Sequence, residues 1–172
     1  MTPADLVSMM PLAGARATIF AEPLSRTIAE FRISTPRQQA AWLANIAHES
    51  GSLKYVLEIA SGEAYEGRSD LGNTHLGDGP RFKGRGLPQI TGRNNYLACG
   101  QALGLDLIAH PELLEQPLHA ARCAGWFWRT KSLGPIADAE KFAAVCRIWN
   151  GGFNGIDDRI QHWLRIRRHL GL

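Results

Sequence analysis

Residues 34–51 read STPRQQAAWLANIAHESG, and this stretch decides the fold class. Thr35 is a helix N-cap: its hydroxyl can accept from an early helical N–H that has no other partner. Pro36 sits at the first helical position, where a missing N–H costs nothing, and Gln38 stands where a capping box would complete itself. Gly51 supplies the stop. The spacing predicts a helix to about Ser50 with an inward stripe of Gln39, Trp42, Leu43 and Ile46. Glu49, three residues beyond Ile46, continues that buried stripe.

A carboxylate is badly placed there. The last turn of a helix carries a partial negative charge of roughly half an electron, and desolvation also disfavours ionisation. Both effects favour the protonated group, so Glu49 is expected to keep a proton near neutral pH, as a general acid must. The plain alternative is a surface acid at a frayed helix end, and the apolar stripe argues against it. His48–Glu49 also invites a zinc-protease reading, but HESGS has Ser52 where the second histidine of HExxH belongs. That reading fails.

Working outward, residues 15–33 read as an amphipathic helix with Ile19, Phe20, Leu24, Ile28 and Phe31 near 3.6 spacing. Residues 59–86 are glycine-rich and nearly without periodicity, which in a compact domain suggests a functional loop. Helical patterns return over about 92–103, 117–131, 138–149 and 156–170. LPQI, residues 87–90, is the best candidate for a short strand. The expected fold class is mostly α, a single domain over 1–172.

The bulk properties exclude several function classes. With 172 residues, 45% of them hydrophobic, the chain can bury about two-thirds of its unfolded surface. A net charge of +3 and pI near 9.0 suit a polyanion or an anionic cell envelope without choosing between them. Cys99, Cys123 and Cys146 are odd in number and scattered, which fits neither a disulfide framework nor a cysteine zinc site, and agrees with synthesis in a reducing compartment. The first residues lack a basic n-region and an unbroken apolar core, so neither a signal peptide nor a membrane span is expected. If the target lies outside the cytoplasm, something else must deliver the protein.

Glu58, nine residues after Glu49, could complete a hydrolytic pair in which one group protonates a leaving oxygen and the other activates water. It could equally be a solvated acid, and Glu63, Glu66, Asp70 and Asp78 in the loop are rivals that spacing cannot separate. The stretch RFKGRGLPQITGRNNY, residues 81–96, lacks the third glycine of a dinucleotide fingerprint and is not a P-loop. It concentrates Gln89, Thr91, Asn94, Asn95 and Tyr96, uncharged groups suited to hydroxyls and acetamido groups, although turn chemistry would explain the asparagines as well. Asn150 and Asn154 flank a glycine pair that ends a helix. Trp126, Phe127 and Trp128 read as core more than as a sugar platform. RIQHWLRIRRHL, residues 159–170, is a basic helix.

Taken in order, AHESG, Glu58, FKGRGLPQITGRNNY, WFW and NGG resemble glycoside hydrolase family 19, most closely its compact phage or prophage endolysins. The resemblance covers about residues 35–165. It implies a lysozyme-like, two-lobed helical fold with a central cleft and little or no β-structure. It also implies inverting cleavage of β-1,4 bonds between N-acetylated sugars without a cofactor or metal. Carried over by position, Glu49 is the general acid, Glu58 the base, and Thr91 helps to hold the attacking water. Gln89, Asn95 and Asn150 bind substrate amides and hydroxyls, with His48, Tyr96 and Arg159 as further contacts, Arg159 being matched to a cleft arginine near the acid. The chain departs from the plant chitinases of the family in having Asn154 where they carry an acid, and in lacking their disulfides and extra cleft loops. Pro88 replaces a more usual aliphatic residue. The shortened cleft favours bacterial peptidoglycan over long chitin chains. The expected protein is therefore a monomeric endolysin acting on peptidoglycan glycan strands. It binds no nucleic acid, inserts into no membrane, and is made in the host cytoplasm to act on the periplasmic wall after release by a holin. A chitinase is the runner-up, and a non-catalytic wall-binding module the reading from another class.

Overall fold

The computed structural model describes all 172 residues. It is helical almost throughout, and 63% of residues lie in helices. The helices are α1 (Pro3–Met9), α2 (Arg16–Glu30), α3 (Pro36–Glu49), α4 (Asp78–Arg81), α5 (Arg93–Leu103), α6 (Pro117–Thr130), α7 (Leu133–Asp138), α8 (Phe142–Asn150) and α9 (Ile156–His169). No helix is long and apolar enough to cross a membrane.

The start of α3 follows the sequence reading in one half. Thr35 Oγ1 accepts the Gln38 N–H at 3.1 Å, but the Gln38 side chain does not close the capping box on Thr35. Its oxygen accepts from Ser34 N at 3.2 Å and its nitrogen donates to Asp138 at 2.6 Å, tying the helix start to the end of α7. Trp42, Leu43 and Ile46 are fully buried. Burial of each such side chain is worth about 1.5–3 kcal/mol, so the stripe fixes which way α3 faces. The Trp42 indole N–H also finds the Ala124 carbonyl of α6 at 3.2 Å.

α3 lies principally against α9, and α2 against α6. α6 is common to both halves of the molecule: it touches α2 and α7 on one side, and α5 with the 3-10 turn Pro111–Glu115 on the other. One core of 39 buried hydrophobic residues runs through this arrangement. The three cysteines are free and buried within it.

Four details differ from the sequence expectation. Ile19 is 54% exposed, and α2 buries Ala17, Phe20, Ala21 and Leu24 instead, because small side chains allow α6 to approach. The helix expected over 138–149 begins only at Phe142, as α8, and a separate short helix, α7, ends at Asp138. They are separated by a turn in which Glu140 takes φ +58° while its carboxylate accepts from Arg37 and Arg167. LPQI forms no strand. Arg85 makes isolated bridges to Leu57 and Ile90, and Gln89 at φ +53° breaks any extension. The 59–86 segment is strapped down rather than loose. Glu66 accepts from the N–H groups of Gly77 and Gly79, each at 2.7 Å, and fully buried Asn73 bridges Tyr65 O and Arg93 N.

Candidate active site

Glu49 is the last residue of α3, and its side chain is 19% exposed. Its Oε1 accepts a hydrogen bond from Arg159 Nη2 on α9. The guanidinium is itself only 1% exposed. It donates through Nη1 to Asn45 Oδ1 at 2.6 Å and through Nε to the Asn154 carbonyl at 3.4 Å. Asn45, one turn before Glu49 on α3, is anchored by its own donation to Ala41 O at 2.8 Å. The spacing alone placed a helix end and burial around this acid, and the family resemblance added Arg159 as a cleft arginine near it. The structure sets that cation, buried, in direct contact with the acid. It also corrects the part expected of Arg159: a side chain this deeply buried cannot contact substrate and acts by holding Glu49.

His48 is half-buried, and its Nδ1 pairs with Asp158 Oδ2 at 2.7 Å. Its ring lies flush against Gly155, where an added Cβ would come within 2.1 Å of Cε1. The side chain therefore clamps the α8–α9 turn onto α3. His162, on the next turn of α9, faces the same Asp158 oxygen at 3.5 Å, and burial pushes its imidazole below the usual histidine range.

Glu58 lies on the other side of the left-handed turn formed by Gly51, Ser52 and Leu53, at φ +55°, +57° and +68°. Two consecutive non-glycine residues in that region are costly unless the surroundings hold them, and such strain gathers at functional sites. Glu58 is held from both sides: Tyr65 donates its hydroxyl to Oε1 at 2.9 Å, and Gly84 N donates to Oε2 at 2.8 Å. Burial and the bond to Glu58 push the Tyr65 phenol up, so it stays a donor. The rival acids of the loop have other work. Asp70 clasps Arg68, Glu66 straps the loop, and Asp78 is buried against Arg93. Glu63 is exposed at the start of a 3-10 turn.

Gln89 stands beside Glu58. Its Oε1 and Glu58 Oε2 both lie over Gly84, where a Cβ would meet them at 2.9 and 3.0 Å. Its amide nitrogen donates to Gly86 O at 2.8 Å. Thr91 Oγ1 reaches the Gln89 carbonyl at 3.3 Å, and Asn95 Nδ2 donates to the Thr91 carbonyl at 2.8 Å, so these three side chains form a continuous run. Asn95 then lines a cavity of about 820 Å³ whose far wall carries Asn150, Trp149, Trp126 and Phe127. The aromatic trio of α6 is therefore core and wall together. Trp126 and Trp128 are buried, while half-buried Phe127 faces the cavity and packs on Trp149 with centroids 5.0 Å apart.

Tyr96 does not join this run. It is fully buried, donates to Lys83 O at 2.5 Å, and packs on Phe82. It latches the Lys83–Arg85 backbone beneath Glu58 rather than meeting substrate. Sequence reasoning missed Asn45, Tyr65 and Asp158, all of which hold a candidate site residue by direct contact. A signal existed for the last, since Asp158 adjoins Arg159. No three His, Cys, Asp or Glu side chains converge in a way that could hold a metal ion.

Comparison with known proteins matches residues 12–152 to the glycosyl hydrolase family 19 model described as chitinase class I. An endochitinase of Arabidopsis thaliana is 38% identical over 143 residues, covering 79% of this chain and 49% of the plant protein. The chain thus spans about half the length of the plant relatives it matches. A glycosyl hydrolase family 19 domain-containing protein of Haemophilus influenzae is 33% identical over 154 residues, covering 71% of this chain and 74% of that protein. Chitinase C from Streptomyces griseus superposes with a TM-score of 0.80 at 26% identity, covering 98% of this chain and 76% of that one.

Proposed function

We propose, for a chain that belongs to glycoside hydrolase family 19, inverting hydrolysis of β-1,4 bonds between N-acetylated sugars, with bacterial peptidoglycan as the substrate. One observation carries the chemistry: Glu49 and Glu58 are each fixed by their own donors, and the run Gln89–Thr91–Asn95 leads from Glu58 to a cavity lined with amides and aromatic rings. Glu49 gives its proton to the glycosidic oxygen as the bond breaks and is left as a carboxylate. The Arg159 guanidinium already in contact with it stabilises the charge that develops, an interaction stronger in the transition state than before it. Glu58 takes a proton from a water on the opposite face of the sugar, and the Gln89–Thr91 segment orients that water. Tyr65 and Gly84 keep Glu58 from turning away. Asn95 and Asn150 offer amides to substrate acetamido groups, and Phe127 with Trp149 offers an apolar wall to sugar faces.

The cavity lining supports peptidoglycan over chitin. It includes Lys131, a cation with no carboxylate partner in the protein, whereas chitin is neutral. Chitin remains the second reading because the relatives named above are described as chitinases. For a wall substrate the protein acts in the periplasm as a monomer, released by a holin, as in a phage-type endolysin.

Wild type, Glu49→Gln and Glu58→Gln should be compared on purified peptidoglycan and on chitin oligomers. Each variant should lose the ~10²–10⁴-fold that a positioned acid or base supplies. The first product should carry the inverted anomer, with carboxyl groups about 6.5–9.5 Å apart in the substrate complex. New reducing ends in digested wall with stem peptides intact are expected. Released peptide amines without reducing ends would end the glycosidase reading, and turnover of chitin alone would end the wall reading.

A further inference from the structure

The two cations of the cleft are not equivalent. Arg68 is clasped by Asp70, Nε to Oδ1 at 2.7 Å and Nη2 to Oδ2 at 2.6 Å, so a carboxylate of the protein already satisfies its charge. Lys131 has no carboxylate partner. It follows Thr130 at the C-terminal end of α6, is exposed, and its ammonium sits 5.7 Å from the centroid of Phe127, the ring that forms the cleft wall. That distance is within reach of a cation–π contact, which steadies the ammonium over the ring without neutralising it. Most arginines near the cleft are committed elsewhere: Arg159 to Glu49, Arg93 to Asp78, and Arg85 to Glu115.

We propose that Lys131 is a specificity-determining residue that pairs with a carboxylate carried by the glycan, so that the cleft discriminates acidic N-acetylated glycans from neutral ones. This rests on the peptidoglycan reading above. Two carboxylate sources share that chemistry. One is the lactyl group attached to alternate sugars of the wall strand, free when no peptide is present. The other is the set of side-chain and terminal carboxylates of the stem peptide. Asn95 and Asn150 line the same cavity, so one sugar unit could engage an amide and the ammonium together. A simpler role is also available to a lysine at the end of a helix, where a positive charge complements the negative helix end. That role predicts a change in stability and none in substrate choice.

The test is kcat/KM for wild type, Lys131→Gln, Lys131→Glu and Lys131→Arg. The substrates are peptide-bearing wall strands, amidase-treated strands that keep the lactyl carboxylate, and neutral chitin oligomers. Lys131→Gln should lose about three- to tenfold on an acidic substrate and less than about twofold on chitin oligomers, as expected for a partly exposed charge pair. Lys131→Glu should lose more, Lys131→Arg should retain the preference, and the difference should shrink as added salt screens the pair. A loss on peptide-free strands identifies the lactyl carboxylate, and a loss confined to peptide-bearing strands identifies the peptide. Equal effects on acidic and neutral substrates, or none on either, overturn the proposal while leaving the wall reading intact. Failure of the wild type to cut either form of wall strand overturns both.

Discussion

Replacing Arg159 by methionine keeps much of the buried volume and removes the guanidinium that three acceptors share. Asn45 Oδ1 is left without a partner in a fully buried site, which costs about 1–3 kcal/mol. Glu49 loses its guanidinium donor where its side chain is 19% exposed, so its share is the smaller one, about 1 kcal/mol once screening by solvent is allowed for. A total near 3 kcal/mol corresponds to a fall in melting temperature of about 6–12 °C for a chain of this size. The informative measurement is a double-mutant cycle with Glu49→Gln. Methionine at 159 should cost less when position 49 carries glutamine, because the guanidinium–carboxyl contact is then already lost or weakened, giving a coupling of about 1 kcal/mol. Thermal unfolding of the four proteins reads this directly. Additive effects, or a melting temperature for Arg159→Met within about 2 °C of wild type, would show that the guanidinium does not support Glu49 in the way described.

Tyr65→Phe removes one donor to Glu58, and kcat should fall by about ten- to a hundredfold with the fold intact, the usual worth of a hydrogen bond to a charged group. Glu66→Gln, which touches only the loop strap, should lower stability and spare the chemistry of bound substrate. The Arg93 guanidinium holds the Asp78 carboxyl well below the usual carboxylate range, with burial acting in the other direction. Because the folded value is depressed, this stabilisation is present above the unfolded value of about 3.9 and is lost as the pH falls from there through the folded value. Asp78→Asn should therefore be less stable than wild type at neutral pH, by a margin that narrows on acidification. A margin that is constant across the titration would refute it. On α9, Arg165 and Arg168 are exposed, whereas Arg167 is bonded to Glu140 and stacked on Trp163. Reversing the charge of Arg165 and Arg168 should slow lysis of permeabilised cells at low salt and leave cleavage of neutral oligosaccharides unchanged. Equal losses on both would point to folding.

The path of α3 was legible because its signals are local: an N-cap hydroxyl, a proline, an apolar stripe and a terminal glycine all lie within one stretch of chain. The partner of its last residue was not legible in the spacing, because Arg159 is 110 positions away; only the family resemblance set that arginine near the acid. Gln38 matched a local motif, yet its side chain was drawn off by Asp138, a long-range competitor. Tyr96 followed the amides of its motif in sequence, but on a helix it points a different way from Asn95, into the core. Spacing could not tell the acids of the loop apart; the family resemblance singled out Glu58, and the structure shows which donors the others found. Glu66 is taken up by backbone N–H groups, and Asp70 and Asp78 by the guanidinium groups of Arg68 and Arg93.

The contrast between the two carboxylates has a consequence for partial opening of the molecule. Glu58 is held by residues 7 and 26 positions away, whereas Glu49 depends on a helix 110 positions along the chain. Segments of a protein open with different free energies, and α9, which packs mainly on α3, is one unit that can open in this way. Undocking of α9 would free Glu49 and His48 together while leaving the Tyr65–Glu58–Gly84 cradle closed. Hydrolysis should then disappear at denaturant concentrations where amide exchange still reports protection at Glu58 and Gly86, whose N–H groups are bonded to Gly84 and Val56. Inactivation and unfolding would become separate events, with the reach of the acid, and not the integrity of the loop, setting the limit of activity.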